Sequence, residues 1–175
     1  MIGNDVIDLA LARTESNWQR RGYLQKLFTE NVRQLIQNAL DSEIMVWNLW
    51  SRKEAAYKIY HRETKIRAFI PLRLECVFDS DFDGKVIVAD RFYFTKTALS
   101  EGNIHTIAVG QKADFSKITF FDDRYNVYKK DGIPYVRNST DPISISHHGR
   151  FEKIVALNDY KPNLNLSFRK SSAMV

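Results

Sequence analysis

The chain has one cysteine, Cys76, and no apolar run long enough to span a bilayer. A single cysteine cannot form an internal disulfide or a thiolate metal cluster, and Cys76 lies in an apolar stretch typical of a packed strand. The N-terminal residues lack the positive and apolar regions of a signal peptide. These absences predict a cytoplasmic protein without a membrane partner, whose chemistry does not use a thiol.

Repeats, low-complexity tracts and linkers are also missing from the 175 residues, a common length for one domain. We therefore expect a single domain over residues 1–160, followed by a polar tail, 161–175, with the composition of a partly disordered segment. The 44% hydrophobic and 27% charged residues are typical of a globular protein. The net charge of +5 favours an anionic partner, which could be nucleic acid, a phosphate-rich ligand or an acidic protein.

The first third of the chain predicts helices after a short apolar segment at residues 2–12. Apolar residues between positions 24 and 36 recur at helical spacing and predict an amphipathic helix that breaks and restarts near Thr29. Asp41 can cap a second helix that continues to about His61 without Gly or Pro.

The rest of the chain predicts strands. Residues 69–109 have an extended pattern with a turn at Asp83-Gly84, and a later hairpin turns at Asp131-Gly132. Strands over 143–146 and 151–157 are expected to bracket a Ser-His-His-Gly turn. The expected fold class is α+β, with an antiparallel sheet packed against helices.

Two acids, Asp5 and Asp8, lie in the apolar N-terminal strand. Burying an ionised carboxylate there is costly unless it is paired or holds a cation. An aspartate at this place could help hold Mg²⁺, or it could cap the helix that follows. The residues alone leave both interpretations open.

The second helix carries Trp50, Glu54 and Lys58 one helical turn apart, so the three side chains share a face. Glu54 could bind a metal while Lys58 binds phosphate or helps to move a proton. An ordinary surface ion pair explains the same Glu-Lys spacing.

A third cluster is the sequence Ser146-His147-His148-Gly149-Arg150. Adjacent histidines in a strand point to opposite faces, so they cannot both chelate one metal without a turn between them. Nothing around Ser146 marks the strained elbow of a nucleophilic serine. A histidine and an arginine beside small residues could instead receive a phosphate.

An acidic segment, residues 79–84 with Asp90, copies part of a calcium-binding loop. Its twelfth position is Asp where that loop has a bidentate Glu, and strands flank it where helices are needed. We therefore favour a plain acidic hairpin turn.

Together these motifs form three blocks: Gly-x-Asp at residues 3–5, Trp-x-x-Lys-Glu-Ala-x-x-Lys at 50–58, and Ser-x-Ser-His-x-Gly-Arg at 144–150 after a Gly-x-Pro-Tyr hairpin. Their combination resembles the 4′-phosphopantetheinyl transferases and has the block order of the small holo-acyl-carrier-protein synthases. The strands of 69–109 resemble the second lobe of the larger surfactin-type enzymes. The resemblance covers most of residues 2–157.

The resemblance implies Mg²⁺-dependent transfer of the phosphopantetheine arm of coenzyme A to a serine of an apo acyl or peptidyl carrier protein. By match to the family motifs, Asp5 and Glu54 would hold the metal, and Glu54 and Lys58 would be catalytic. The residues expected to bind coenzyme A by the same match are Lys53, Lys58, Ser146 and His147.

Two departures from the family pattern affect the expected site. Larger members carry a second carboxylate where this chain has Ile7, so we expect water as the third metal ligand and keep Asp8 as a secondary candidate. Many relatives have a small residue where this chain has His148, whose role the sequence leaves open.

The expected partners are an acidic carrier protein and coenzyme A, with no nucleic acid. Arg13, Arg20 and Arg21 would meet the carrier, although a solvated basic face explains them equally well. Because the chain has one set of each block, we expect it to complete its site by self-association. A trimer is the leading choice by resemblance to the small synthases; a dimer and a site closed within one chain are the alternatives.

Two other functions compete with transfer. An inactive protein of the same fold could bind coenzyme A or a carrier protein, although retention of Asp5, Glu54 and Lys58 argues against it. A basic nucleic-acid-binding module has less support, because the sequence lacks a Gly-rich clamp, a zinc pattern and an RNP-like aromatic strand. The carrier itself, from fatty-acid, polyketide or nonribosomal-peptide synthesis, is left open.

Overall fold

A computed structural model describes residues 1–122, 124–137 and 140–157 of the chain. In these residues the helices are α1 (Leu9–Glu15), α2 (Tyr23–Leu27), α3 (Glu30–Asn38) and α4 (Ser42–Thr64). The strands are β1 (Ile2–Asp8), β2 (Leu74–Phe78), β3 (Asp83–Val88), β4 (Arg91–Ser100), β5 (Asn103–Val109), β6 (Ile118–Phe121), β7 (Val127–Lys130), β8 (Ile133–Val136), β9 (Ser144–His148) and β10 (Phe151–Leu157). Short 3-10 helices occupy Pro71–Arg73 and Lys112–Lys117. The predicted polar tail, 161–175, lies outside the described residues.

The strands form antiparallel sheets. The largest has the order β1-β5-β4-β3-β2, a second has the order β6-β10-β9, and β7 pairs with β8. Helix α4 packs on the five-stranded sheet, where Ala56 and Ile59 join Val86, Ile104 and Ala108 in the main hydrophobic core. The α+β class predicted from the sequence is confirmed.

Helix α4 carries the second motif block and begins where the sequence predicts. The Asp41 carboxylate caps it by accepting a hydrogen bond from the Ile44 N–H at 3.0 Å. The helix continues slightly past the predicted end and stops at Lys65, whose φ of 63° is left-handed. In the part of the chain that the structure describes, no helix combines the length and the apolar character needed to cross a membrane.

Strand β1 touches helix α4 at Gly3. A Cβ atom at this position would lie 2.1 Å from the Ala55 carbonyl oxygen and 3.2 Å from the Ile59 Cγ1 atom. Only glycine allows this close approach of two backbones. Because Asp5 shares the Gly3 face of β1, and Glu54 precedes Ala55 on α4, the same contact brings the two predicted metal ligands near each other.

The acidic segment forms the predicted hairpin turn between β2 and β3. Its Asp81 carbonyl accepts hydrogen bonds from the Asn48 amide at 2.7 Å and from the Arg52 guanidinium at 2.8 Å. Arg52 is fully buried, and burial lowers its pKa while the charges of Asp83, Asp81 and Asp79 oppose that shift. The acids therefore offset a buried cation of the chain itself.

Candidate active site

Strand β1 lies at one edge of the five-stranded sheet, and side chains of β9 take up its outward N–H groups. The hydrogen bonds run from the Asn4 N–H to Ser144 Oγ (2.9 Å), from Val6 N–H to Ser146 Oγ (3.1 Å) and from Asp8 N–H to His148 Nδ1 (2.8 Å). We call these three bonds the β1–β9 ladder. Every second residue of each strand takes part, as the strand period requires. The ladder thus joins the third motif block to the first.

Asp5 is the carboxylate at the centre of this junction. Its Oδ1 accepts a hydrogen bond from the Ser146 hydroxyl at 3.0 Å and lies 3.9 Å from Lys58 Nζ. Burial raises the pKa of Asp5, while the charge of Lys58 and the hydrogen bond from Ser146 lower it. The Asp5 carboxylate of the first motif block is therefore held in place by groups from the second and third blocks.

Glu54 and Asp5 line the same cavity, which has a volume of about 230 Å³ and also includes Trp50, His147 and His148. Burial raises the pKa of Glu54 to about 7, and the negative charge of Asp5 adds to this rise. Two carboxylates whose pKa values are raised by burial and that line one cavity are a suitable oxygen donor set for a hard divalent cation.

Lys58 lines a second cavity and lies close to Asp5 of the first one. Its Nζ donates hydrogen bonds to the carbonyl of Asn4 at 2.6 Å and to that of Ile145 at 3.3 Å. Burial lowers the pKa of Lys58, and the carboxylates of Asp5 and Glu54 oppose this effect. The Lys58 ammonium therefore connects α4, β1 and β9 at the point where the two cavities approach each other.

The second cavity, with a volume of about 470 Å³, is strongly cationic. Its lining includes the basic or ionisable side chains of Lys58, His61, Arg62, Arg67, Arg124, Lys129 and His147. The Gly-x-Pro-Tyr hairpin identified in the sequence supplies Gly132, Ile133 and Pro134 to one wall. We call this space the cationic cavity, and its charge suits a phosphate-rich ligand.

Most of these cations were missed by the sequence analysis. Arg62 follows Lys58 by one helical turn, so its place on the same face could have been inferred from spacing. Its Nη1 donates to the Ile2 carbonyl at 2.8 Å, and burial lowers its pKa to about 10. Arg124 and Lys129 come from the region around β7, and no local sequence signal ties them to α4.

The two adjacent histidines point to opposite faces of β9, as predicted. His147 is exposed and contributes to both cavities. His148 accepts the Asp8 N–H in the β1–β9 ladder, which places its remaining ring proton on Nε2, 3.4 Å from Glu15. His148 therefore supports the strand that carries Asp5, and it also lines the cavity that Asp5 and Glu54 share.

The expectation that Lys53 contacts phosphate is corrected by the structure. The side chain is buried, and its Nζ donates to the carbonyls of Leu27 at 2.5 Å and Pro71 at 2.8 Å and lies 4.6 Å from the centre of the Phe28 ring. Burial lowers its pKa to about 8. Lys53 therefore ties α4 to neighbouring segments, on a different side of the helix from Glu54.

The structure also corrects Asp8 as a secondary metal ligand and Arg150 as a phosphate contact. Asp8 caps α1 by accepting from the N–H groups of Ala10 and Leu11. Its two carboxylate oxygens accept from the Arg150 side chain at 2.7 and 2.8 Å. The Arg150 guanidinium holds the pKa of Asp8 well below its usual range. The helix-capping interpretation thus applies to Asp8 and not to Asp5.

The three arginines predicted to meet a carrier protein are exposed. Arg13 pairs with Glu43 at 2.8 Å, and the Arg20 guanidinium lies 5.8 Å from the centre of the Tyr23 ring. Tyr23 lines the smaller cavity, so this basic surface borders its entrance. Arg21 has neither contact, and the carrier-binding role of the three stays a prediction.

Behind Asp5, the fully buried Asn4 joins β1 to His105 of β5. The Asn4 amide donates to the Lys153 carbonyl at 2.9 Å and lies 3.2 Å from His105 Nε2. Burial lowers the pKa of His105 from its ordinary 6.5 to about 4. The folded protein therefore holds His105 neutral, as an acceptor for the Asn4 amide.

Replacing His105 by glutamine is expected to make the free energy of unfolding depend less on pH below about 6.5. Because the folded pKa is depressed, the unfolded chain binds the extra proton first, so wild-type stability is complete above pH 6.5 and falls as the pH drops towards 4. The variant lacks this loss, which amounts to about 3 kcal/mol at most. Urea unfolding at several pH values measures it. Asp5 and Glu54, whose pKa values are raised, oppose this loss of stability at low pH, but they do so equally in wild type and variant. If the free energy of unfolding changed with pH in parallel for the two proteins, the lowered pKa of His105 would be contradicted.

A comparison with protein families decides which kind of protein this geometry belongs to. The family model of the 4′-phosphopantetheinyl transferase superfamily matches residues 1–110, more than half of the chain. The chain belongs to this superfamily. A search of curated proteins finds no match.

Superfamily membership indicates a transferase and agrees with the resemblance seen in the motifs. The matched range contains Asp5, Glu54 and Lys58. It ends before the third block. Ser146 is connected to the first block by the β1–β9 ladder, and His147 lines both cavities.

Proposed function

We propose that this chain transfers the 4′-phosphopantetheine arm of coenzyme A to a serine hydroxyl of an apo acyl or peptidyl carrier protein. The serine oxygen forms a bond to the phosphorus next to the pantetheine, the pyrophosphate bond breaks, and 3′,5′-adenosine bisphosphate leaves. The observation that carries the proposal is that His147 lines both a two-carboxylate cavity and a cationic cavity, while Lys58 of the cationic cavity lies 3.9 Å from Asp5 of the other, in a chain of this superfamily.

Asp5 and Glu54 would hold Mg²⁺ in the smaller cavity. The fit rests on two partly enclosed carboxylates, both with raised pKa values, that face one space. In the described residues no group of three His, Cys, Asp or Glu side chains could hold a metal, so water and phosphate oxygens would complete the coordination, as Mg²⁺ prefers. When bound, the ion would neutralise charge that develops on the phosphate of the departing 3′,5′-adenosine bisphosphate.

Lys58 and Glu54 would act on the reacting groups. The Lys58 ammonium, held by two carbonyls beside Asp5, would contact a phosphate oxygen at the border of the two cavities. Its burial lowers the cost of giving up its proton, which supports a part in moving the serine proton. The catalytic assignments of both residues are part of this proposal.

The cationic cavity would take the bisphosphate end of coenzyme A. Replacing His147 by alanine is expected to raise the Kd for coenzyme A about tenfold, the loss of roughly one charge-assisted hydrogen bond. Dephospho-coenzyme A lacks the 3′-phosphate and should bind both proteins equally. Titration calorimetry with the two ligands measures the difference. A similar loss for both ligands would contradict a contact between His147 and the 3′-phosphate.

The carrier protein would approach over Arg13, Arg20 and Arg21, beside the entrance of the smaller cavity. The carrier proteins that this family modifies are acidic, and their charge complements the net charge of +5 on this chain. We keep the carrier class open among fatty-acid, polyketide and nonribosomal-peptide synthesis.

We also propose that residues 1–160 form one catalytic unit whose site is complete within a single chain. The expected self-association rested on the presence of one set of each motif block, yet Ser146 and Asp5 of the same chain are hydrogen-bonded. A trimer stays a prediction about assembly, without a part in completing the site.

Co-expression of Glu54→Gln and His147→Ala chains with different tags tests this. At a low coenzyme A concentration, the co-expressed chains should show no more activity than the two variants measured separately, whether or not they assemble with each other. The reason is that no single chain has both Glu54 and His147 intact. Activity that recovers in doubly tagged assemblies would contradict a site within one chain and favour one shared between subunits.

Transfer itself can be tested with a thiol-labelled fluorescent coenzyme A, apo carriers of the three classes and Mg²⁺. The proposal expects a label that becomes covalently attached to at least one carrier and is lost when a chelator is added. If coenzyme A binds but no carrier is labelled, the chain is a binding protein of the same fold and the proposed activity is wrong.

A further inference from the structure

We propose that Ser146 is a positioning residue for the metal ligand Asp5, and does not contact coenzyme A as the family resemblance implies. This inference rests on the proposed function, because it concerns the same metal pair. Ser146 is buried, with 7% of its surface exposed. The lining of neither cavity includes it.

Both hydrogen-bonding capacities of the Ser146 hydroxyl are used inside the chain. Its oxygen accepts the Val6 N–H at 3.1 Å, so its proton is available to a second partner. That partner is Asp5 Oδ1, at 3.0 Å. The direction is fixed because a backbone N–H can only donate and an ionised carboxylate can only accept.

This bond selects the orientation of the Asp5 carboxylate. Oδ1 faces Ser146 and lies 3.9 Å from Lys58 Nζ. Asp5 also lines the cavity that Glu54 shares, so a fixed Oδ1 determines how the carboxylate is presented there. Groups that hold metal ligands in this way typically change metal affinity by about 10- to 100-fold when removed.

Ser144 provides a matched control on the same strand. It is fully buried and makes the equivalent ladder bond, accepting the Asn4 N–H at 2.9 Å. Within the described part of the chain, the hydrogen bond of Ser144 does not involve a carboxylate. Alanine at either position removes one rung of the β1–β9 ladder, whereas alanine at 146 also releases Asp5.

The experiment measures Mn²⁺ binding to the protein by electron paramagnetic resonance, without coenzyme A, for wild type, Ser146→Ala, Ser146→Thr and Ser144→Ala. Thermal unfolding of each protein accompanies it. We expect Ser146→Ala to weaken Mn²⁺ binding about tenfold, Ser144→Ala to keep the wild-type affinity within about twofold, and Ser146→Thr, which retains the hydroxyl, to recover most of the loss. The two alanine variants should unfold at similar temperatures.

The KM for coenzyme A in the transfer assay separates the two assignments of Ser146. We expect Ser146→Ala to need more Mg²⁺ for half-maximal activity with its coenzyme A KM unchanged. A raised KM with unchanged Mn²⁺ affinity would overturn the inference and make Ser146 a coenzyme A contact. Equal weakening of Mn²⁺ binding in both alanine variants would overturn it in favour of the ladder.

Wild-type protein that binds no Mn²⁺ would refute the metal pair itself, and failed carrier labelling alone would refute only the transfer.

Discussion

Replacing Glu54 by glutamine is expected to abolish transfer and its dependence on Mg²⁺. Glutamine keeps the size and the hydrogen-bonding reach of the side chain but removes the charge that would hold the metal opposite Asp5. Stabilisation of the leaving 3′,5′-adenosine bisphosphate by a bound cation is worth several kcal/mol, which corresponds to roughly a thousandfold in rate. Steady-state transfer at a series of Mg²⁺ concentrations measures both effects.

The same substitution at Glu75 is the control. Glu75 is exposed on β2 and belongs to the lining of neither cavity, so Glu75→Gln should retain wild-type activity. The substitution removes a carboxylate whose pKa is raised because burial disfavours its charge. Glu54→Gln is therefore expected to unfold at the wild-type temperature or above it. A Glu54→Gln protein with full activity and an unchanged Mg²⁺ requirement would show that the metal assignment is wrong.

Replacing Gly3 by alanine is expected to destabilise the fold by about 3 kcal/mol, at the upper end of the usual range for overpacking. The new Cβ would lie 2.1 Å from the carbonyl oxygen of Ala55, which is backbone and cannot rotate away. Strand β1 and helix α4 must then move apart. For a chain of this length the loss corresponds to a fall in Tm of roughly 10 °C, measurable by calorimetry.

Gly110 offers the matched substitution. A Cβ at Gly110 meets no atom within 4 Å, and its φ is not left-handed, so Gly110→Ala should stay within about 0.5 kcal/mol of wild type. Gly3→Ala should also lose activity at temperatures where it is still folded, because the clash separates Asp5 from Glu54. Equal stability of the two variants would contradict the tight β1–α4 contact.

Local signals predicted the elements that position the site. Asp41 starts α4 through a capping bond within three residues, and Asp131-Gly132 closes a hairpin through left-handed φ values of 52° and 78°. These features depend on neighbours in sequence. The family motifs then indicated Asp5, Glu54 and Lys58, and the structure brings these three side chains together.

Contacts between distant segments account for what the sequence could not predict. Lys53 and Glu54 are adjacent, but about 100° of helix rotation separates them, and only the folded chain brings the carbonyls of Leu27 and Pro71 to Lys53. The bond between Ser146 and Asp5 spans 141 residues. The cationic cavity likewise depends on a hairpin that places Lys129 opposite α4.

The most direct test of the account is the intact mass of an apo carrier protein after incubation with this protein, coenzyme A and Mg²⁺. The account predicts a mass gain of one phosphopantetheine on the carrier, release of one equivalent of 3′,5′-adenosine bisphosphate, and neither product with Glu54→Gln. An unchanged carrier mass with fatty-acid, polyketide and nonribosomal-peptide carriers alike, from wild-type protein that binds coenzyme A and Mn²⁺, would contradict it.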